Sequence, residues 1–200
     1  MPSNPRTMFG IGGDVEARAT DILANRMTDG DAIERRVIQA LEALGLPYEL
    51  MRIDPAFADT AACCQRYALP LDSAANTLMV ASRKEPKQHC ACVVKATSRL
   101  DVNHAVRKLM GGSRLSFASA EETMRLTGMM IGGVTVFALP PTLPIYIDAA
   151  VMERAWVVLG SGSRSSKIKV SPEVLARLGN ATIVANLALP LDASPGPDPR

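Results

Sequence analysis

Aromatic side chains make up only 4% of the 200 residues, histidine occurs twice, and charge is nearly balanced at 22 basic against 20 acidic groups. Each shortage excludes a class of function. Few aromatics exclude the extended stacking platform on which single-strand binders lay successive bases, while leaving enough to hold one base. A net charge of +2 excludes wrapping of duplex nucleic acid by charge alone, so any basic surface must be local. No run of about 18 uninterrupted apolar residues offers a membrane span; the longest candidates are broken by Asp148, Glu153 and Arg154. No membrane partner is expected. The segment MPSNPRTMFGIGGDVEARATD lacks a continuous apolar stretch of signal-peptide type, and a cytoplasmic location is the expectation.

The usual catalytic signatures are also missing. There is no G-x-S-x-G elbow, no P-loop lysine, no H-E-x-x-H, and no Cys–His pair at a telling spacing. Gly10-Ile11-Gly12-Gly13 follows no strand pattern, so it is no dinucleotide fingerprint. The four cysteines, Cys63, Cys64, Cys90 and Cys92, form a Cys-Cys and a Cys-x-Cys, a poor framework for disulfides. With His89 and His104 as the two imidazoles and no C-x2-C pairs, no metal and no cofactor are expected, and the thiols read as small buried hydrophobes.

What is present is a globular composition, 48% hydrophobic and 21% charged, sufficient for one domain with a modest extension. The expected organisation is an N-terminal extension over 1–29 with a weak helix at 14–27, a domain over 30–190, and a disordered tail, LDASPGPDPR, over 191–200. Asp31-x-x-Glu34 reads as a carboxylate capping box before a helix carrying Ile33, Val37, Leu41 and Leu44 on one face and ending at Gly45. YELMRI (48–53) is a strand, and Thr60 to Tyr67 a helix. TLMVAS and HCACVVKA form two antiparallel strands across the charged turn RKEPKQ, with Cys90 and Cys92 on one face and His89 on the other.

Asp101 caps a helix with Val102, Ala105, Val106 and Leu109 inward, ended by Gly111-Gly112. RLSFA leads to a capping box at Ser119-x-x-Glu122 and a helix ending at Gly128. MMIGG, TVFAL, IYIDAAV and AWVVLG follow as strand candidates. Ser171 with Pro172 starts a last helix that runs to Gly179, and ATIVANLAL closes the fold. Strict βαβ alternation is absent. The fold class is therefore α+β, a mixed, partly antiparallel sheet or barrel with flanking helices.

Two loops are candidates for chemistry. Ile131-Gly132-Gly133-Val134-Thr135 places glycines inside apolar segments, where either a ligand approaches the backbone or a bulge turns a corner. Gly160-Ser161-Gly162-Ser163-Arg164-Ser165-Ser166-Lys167 is either an anion nest or a plain polar hairpin loop. In this order and spacing, NTLMV (76–80), LDVNHAVRKLMG (100–111), LTGMMIGGVTVF (126–137), LPIYID (143–148) and GSGSR (160–164) resemble the YbaK/EbsC family. These are the aminoacyl-tRNA deacylases related to the editing domain of bacterial prolyl-tRNA synthetases. The resemblance spans roughly 33–180.

That resemblance implies a trans-acting hydrolase clearing a misattached amino acid from the 3′ end of tRNA without a protein nucleophile. Water, a ribose hydroxyl or the misattached side chain drives the reaction, while the protein orients the ester and stabilises the oxyanion. The aminoacyl-tRNA 3′ end is the implied partner, with an aminoacyl-tRNA synthetase as a second candidate. By the same resemblance Asn76, Thr77, Gly132 and Gly133 fall at catalytic positions, and Thr135, Asp148, Ser161, Gly162, Ser163 and Arg164 at substrate-binding ones; a structural pairing or capping role is the plain alternative for Asp148. The chain departs from the family at two positions: the catalytic lysine ahead of Thr-Leu falls on Asn76, and the proline of Gly-Gly-x-x-Pro on Val136. An amide donates a hydrogen bond but lacks the ammonium charge, and loss of one oxyanion donor costs about 10²–10³ in rate. Slow or altered catalysis, or a module that binds without turnover, both follow from Asn76, and a purely structural role for the glycines is the third reading. Lys84, Lys95 and Lys167 are each solvated surface lysines in the plain reading; any of them is a stand-in ammonium only if the fold turns it inward. Arg83, Lys84, Lys87, Arg99, Arg107, Lys108 and Arg114 are a candidate phosphate-tracking set.

Overall fold

A computed structural model describes residues 29–112 and 114–191; the expected helix at 14–27, the glycines at 10–13 and nearly all of the tail lie outside them. Helix α1 (Asp29–Glu42) buries Val37 and Leu41 and stops where Gly45 takes φ +69°, the left-handed conformation that glycine adopts without steric cost. The helix already exists at Asp29, so the expected capping box at Asp31 and Glu34 is not a cap. Both residues lie inside the helix, and Glu34 is buried.

Strand β1 (Tyr48–Arg52), helix α2 (Thr60–Arg66), strands β2 (Ala75–Ser82), β3 (His89–Lys95) and β4 (Ser98–Leu100) follow. Asp59 caps α2 by accepting from Ala61 N and Ala62 N. The expected hairpin is present, with Ala81 opposite His89 and Ala75 opposite Lys95. Helix α3 (Arg107–Leu109) continues a π-type turn over Val102–Val106. The wider turn rotates the inward stripe, so Val106 is buried while Leu109 stays 36% exposed. After β5 (Leu115–Phe117), Ser119 caps α4 (Ala120–Thr127) by accepting from Glu122 N, and Gly128 ends it at φ +64°.

Strand β6 (Ile145–Asp148), helix α5 (Ala149–Met152), β7 (Val157–Gly160), β8 (Ser166–Val170), α6 (Glu173–Ala176), β9 (Ala181–Val184) and β10 (Ala188–Pro190) complete the chain. The sheets are β5-β2-β3-β6-β9, β1-β8-β7 and β10-β4. In the first, β2 pairs antiparallel with β3 and β5, whereas β3–β6 and β6–β9 are parallel. This is the mixed, partly antiparallel arrangement with flanking helices that the sequence predicts. No helix among the described residues is long and apolar enough to cross a membrane.

Strand β3 is buried on both faces, which explains its unbroken apolar sequence. Ala91 and Val93 join α1, Met79, Ile145, Ile147 and Phe137, while Cys90, Cys92 and Val94 join Val80, Val106 and Leu187. All four cysteines are free and buried. Among the described residues no cluster of metal-ligating side chains occurs.

Three further sequence expectations need correction. MMIGG and TVFAL form turns instead of strands. Met129, Val136 and Phe137 are buried, but the backbone bonds to another loop, Met130 N donating to Gly162 O at 2.9 Å and Gly162 N to Gly133 O at 2.7 Å. Apolar runs signal burial, not ladder pairing. The second half of IYIDAAV turns helical because Asp148 Oδ1 accepts from Ala150 N at 2.8 Å. ATIVANLAL splits into β9 and β10 at Asn186, φ +57°.

Candidate active site

A cavity of about 400 Å³ opens between β2, the start of α2, the end of β7 and the loop around Gly132. Its walls mix apolar side chains such as Ala75, Met79, Val134, Val158 and Leu159 with Thr60, Asn76, Thr77, Thr123 and Lys167. Volumes of roughly 300–1,000 Å³ with a few convergent polar groups suit small-molecule recognition. Phe117 and Ile131 stand at its edge with 54% and 41% exposure.

Strand β2 supplies the first polar pair. Thr60 Oγ1 donates to Asn76 Oδ1 at 2.7 Å. The amide carbonyl is thereby engaged, and the Nδ2 hydrogens are the donors this cavity-lining residue keeps. Thr77 Oγ1 is buried without a hydrogen-bond partner among the described residues. A buried hydroxyl in that state costs roughly 1–3 kcal/mol, and such a group is the kind that a ligand satisfies.

The second polar group comes from β8. Lys167 is 5% exposed, and its Nζ donates to Ala58 O and Gly132 O, each at 2.8 Å. Among the described residues it is the sole cationic side chain lining the cavity. The surface reading of this lysine is therefore wrong: the two carbonyls draw it inward. Burial holds its pKa below the ordinary lysine range, opposed by Cys63, Asp59 and Cys64. Burial pushes the Cys63 and Cys64 thiols up, which disfavours the thiolate that a cysteine nucleophile needs.

The two glycine-bearing loops lie against each other directly beside this cavity. A Cβ on Gly133 would sit 2.1 Å from Ser163 O, and one on Gly160 would sit 2.2 Å from Gly133 O. Only hydrogen fits at either place. Behind them Glu34 organises the serines. Arg52 Nη1 donates to both its oxygens at 2.8 and 2.9 Å, Ser163 Oγ lies 3.3 Å from Oε2, and Ser166 Oγ also donates to Oε2. Ser161 Oγ donates to Ser166 O at 3.0 Å. Arg164 reaches across to Ile131 O and Pro55 O, tying the glycine loop to the approach to α2.

Of the residues singled out from sequence, Asn76, Thr77 and Gly132 line the cavity, whereas Gly133, Thr135, Ser161, Gly162, Ser163 and Arg164 do not. The latter form its backing. Gly162 is wedged where a Cβ would meet Ile33 and Val37 of α1 at 2.7 and 2.9 Å. Thr135 is fully buried, its Oγ1 unpartnered. Asp148 takes the capping role, accepting from Ala150 N and from Ala188 N at 2.7 Å. Sequence reasoning missed Thr60, Asp59 and Phe117 as lining residues. The capping signal at Asp59 was legible, but not the side of α2 that would face the hollow.

The model of the aminoacyl-tRNA editing domain matches residues 54–178, which include every polar lining residue discussed above. Among solved structures, the hypothetical protein APE2540 is 25% identical, with TM-score 0.69 over 77% of this chain and 99% of that one. A candidate trans-editing enzyme for prolyl tRNA synthetase is 25% identical, with TM-score 0.66 over 76% of this chain and 95% of that one. A scaffold protein used for grafted linear epitopes shares the fold at 24% identity and TM-score 0.65. With its cavity inside the matched segment and its α+β architecture shared by these structures, the chain belongs to the YbaK-like aminoacyl-tRNA editing domain family.

Proposed function

We propose that the protein is a trans-acting aminoacyl-tRNA deacylase, whose cavity receives the aminoacylated 3′ end of a mischarged tRNA. The observation that carries this reading is the cavity itself: about 400 Å³, lined by Asn76, Thr77 and Gly132, and without an activated side-chain nucleophile. Its polar groups are hydrogen-bond donors more than bases. Such a site accelerates ester hydrolysis by holding the acyl group and stabilising charge on the carbonyl oxygen. Water adds to the carbonyl carbon, the carbonyl electron pair moves to oxygen, and collapse breaks the bond to the ribose oxygen, which takes up the proton that water loses. The Asn76 amide and the Thr77 hydroxyl are the donors that β2 offers to the ester. Gly132 keeps backbone close to the reacting group, while Gly133, Ser161, Gly162, Ser163 and Arg164 hold that backbone in place. Thr135 and Asp148 act behind the site, on its packing.

The tRNA body would lie along the exposed basic residues. Arg83 N donates to Arg114 O at 2.8 Å, so the β2–β3 turn with Lys84 and Lys87 adjoins β5, whose Phe117 edges the cavity. If these side chains contact phosphates, affinity for tRNA falls steeply with salt; a salt-insensitive complex removes that surface from the account. A synthetase is the second candidate partner.

One observation favours a binding module without turnover: the amide at 76 carries no charge where the family places lysine. A panel of mischarged tRNAs separates the two readings. The deacylase reading expects at least one substrate to be hydrolysed faster than in buffer, and expects Asn76→Lys to raise that rate. No acceleration by either protein, with binding retained, leaves the binding module.

A further inference from the structure

Lys167 and Lys169 stand two apart on β8, on the same face of the strand by its alternation. Their surroundings differ sharply. Lys169 Nζ lies 3.2 Å from Glu49 Oε2 and 4.8 Å from the centroid of the Trp156 ring, a side chain that reaches water along its aliphatic stem. Lys167 is 5% exposed and, among the described residues, touches no carboxylate. Lysine is almost never buried unless paired, and the nearby Asp59 already accepts from Ala61 N and Ala62 N at the start of α2. The Lys167 ammonium has three hydrogens. Ala58 O and Gly132 O take two. The third has no partner among the described residues, and the side chain lines the cavity.

A buried cation whose direct hydrogen bonds go to neutral carbonyls, with the Asp59 carboxylate acting on it only through space, is poised for a negative charge to appear beside it. We propose that Lys167 is the cation of this site: its third N–H binds the carbonyl oxygen of the aminoacyl ester and holds the negative charge that forms there when water adds. The ammonium enters from β8 instead of β2, so the neutral amide at 76 does not leave the cavity without charge. The two carbonyl bonds fix the ammonium before substrate arrives, so little reorganisation accompanies charge development. This assignment rests on the editing reading and gives it a further substrate-contacting residue.

The test compares deacylation by wild type, Lys167→Met and the double variant Lys167→Met/Asn76→Lys, with thermal unfolding of each. Lys167→Met is expected to lower kcat by about 10²-fold with KM for aminoacyl-tRNA little changed, and the lysine on β2 to restore at least tenfold. A purely structural lysine would lower the unfolding temperature and gain nothing from a second-site ammonium. Should Lys167→Met fail to fold, wild-type protein carrying 13C-labelled lysine answers the question. The Lys167 Cε resonance shifts on adding 3′-aminoacylamino-3′-deoxyadenosine and stays in place with adenosine alone. Unchanged kcat in a folded Lys167→Met, or a bound analogue that leaves the Lys167 resonance unmoved, overturns the assignment while sparing the editing reading. Wild type that neither hydrolyses mischarged tRNA nor binds the analogue overturns both.

Discussion

Strand β2 lines the hollow and the loop between β7 and β8 backs it, and their polar groups stand in opposite states. In that loop and at the start of β8, Ser161, Ser163 and Ser166 bond to one another, Ser163 and Ser166 also to Glu34, and Arg52 completes that carboxylate. On β2, Thr77 Oγ1 has no partner and the Asn76 amide is held on its carbonyl side alone. A satisfied network stiffens a wall, and an unpartnered buried donor calls for an explanation, which for Thr77 on the cavity-lining strand is the proposed ligand. Serine and glycine density thus indicates how the cavity is built, and on the proposed reading the quieter strand is the one that meets the ester.

The strongest way to break this contrast is at the glycine contact. Gly133→Ala or Gly160→Ala forces a methyl group into the backbone of the facing loop, and a loss of about 3 kcal/mol or more is expected. Urea unfolding measures it, and near wild-type stability would show that the loops can separate. Next comes Glu34→Ala, which removes the acceptor of Ser163 and Ser166. Arg52 is 65% exposed and recovers water, so the expected cost is about 2–3 kcal/mol, most of it from the stranded hydroxyls. A change under about 0.5 kcal/mol would mean the network is not stiffening that wall.

Thr77→Val sharpens the other half of the comparison. Stability should stay within about 1 kcal/mol or rise, because an unpartnered buried hydroxyl is removed, while deacylation falls several-fold. Lower stability with unaltered turnover would reverse the assignment of that strand. The smallest effect lies away from the cavity, at Glu122, which accepts from His89 and Lys87 at 2.9 and 3.2 Å. His89 first, then Lys87, hold its carboxyl below the usual range. A depressed carboxyl stabilises the fold at pH above its unfolded value, and that contribution is lost as pH falls through the folded value. The unfolding temperature of Glu122→Gln should therefore lie below wild type by no more than about 2 °C near neutral pH, the gap closing in acid. A gap that widens in acid would contradict the sign.

Much of the framework was legible because local rules and packing agree there. The 77–95 hairpin, the Ser119 cap, the stop at Gly128 and the class of sheet all follow from patterns of a few residues. The 129–139 segment was not legible: its apolar residues are buried as turns whose backbone bonds go to Gly162 and whose close packing is against Gly160, about 30 residues away. The π-type turn at Val102–Val106 likewise leaves no mark in composition. In the site, Asn76, Thr77 and Gly132 were legible through motif order. Glu34 and Lys167 were not, because an acid at helical spacing and a lysine in a strand look like surface until the opposing walls are known. Asp148 illustrates the converse, a residue inside a motif whose contacts are those of a cap.

The most direct measurement is calorimetric titration of 3′-aminoacylamino-3′-deoxyadenosine into wild type and into Ala118→Phe, which narrows the hollow from the connection between β5 and α4 with both glycine loops untouched. Saturable one-to-one binding by wild type, weakened at least tenfold in the narrowed variant, is the predicted result. Equal binding by both proteins, or none by either, would show that this hollow is not where an aminoacylated adenosine sits.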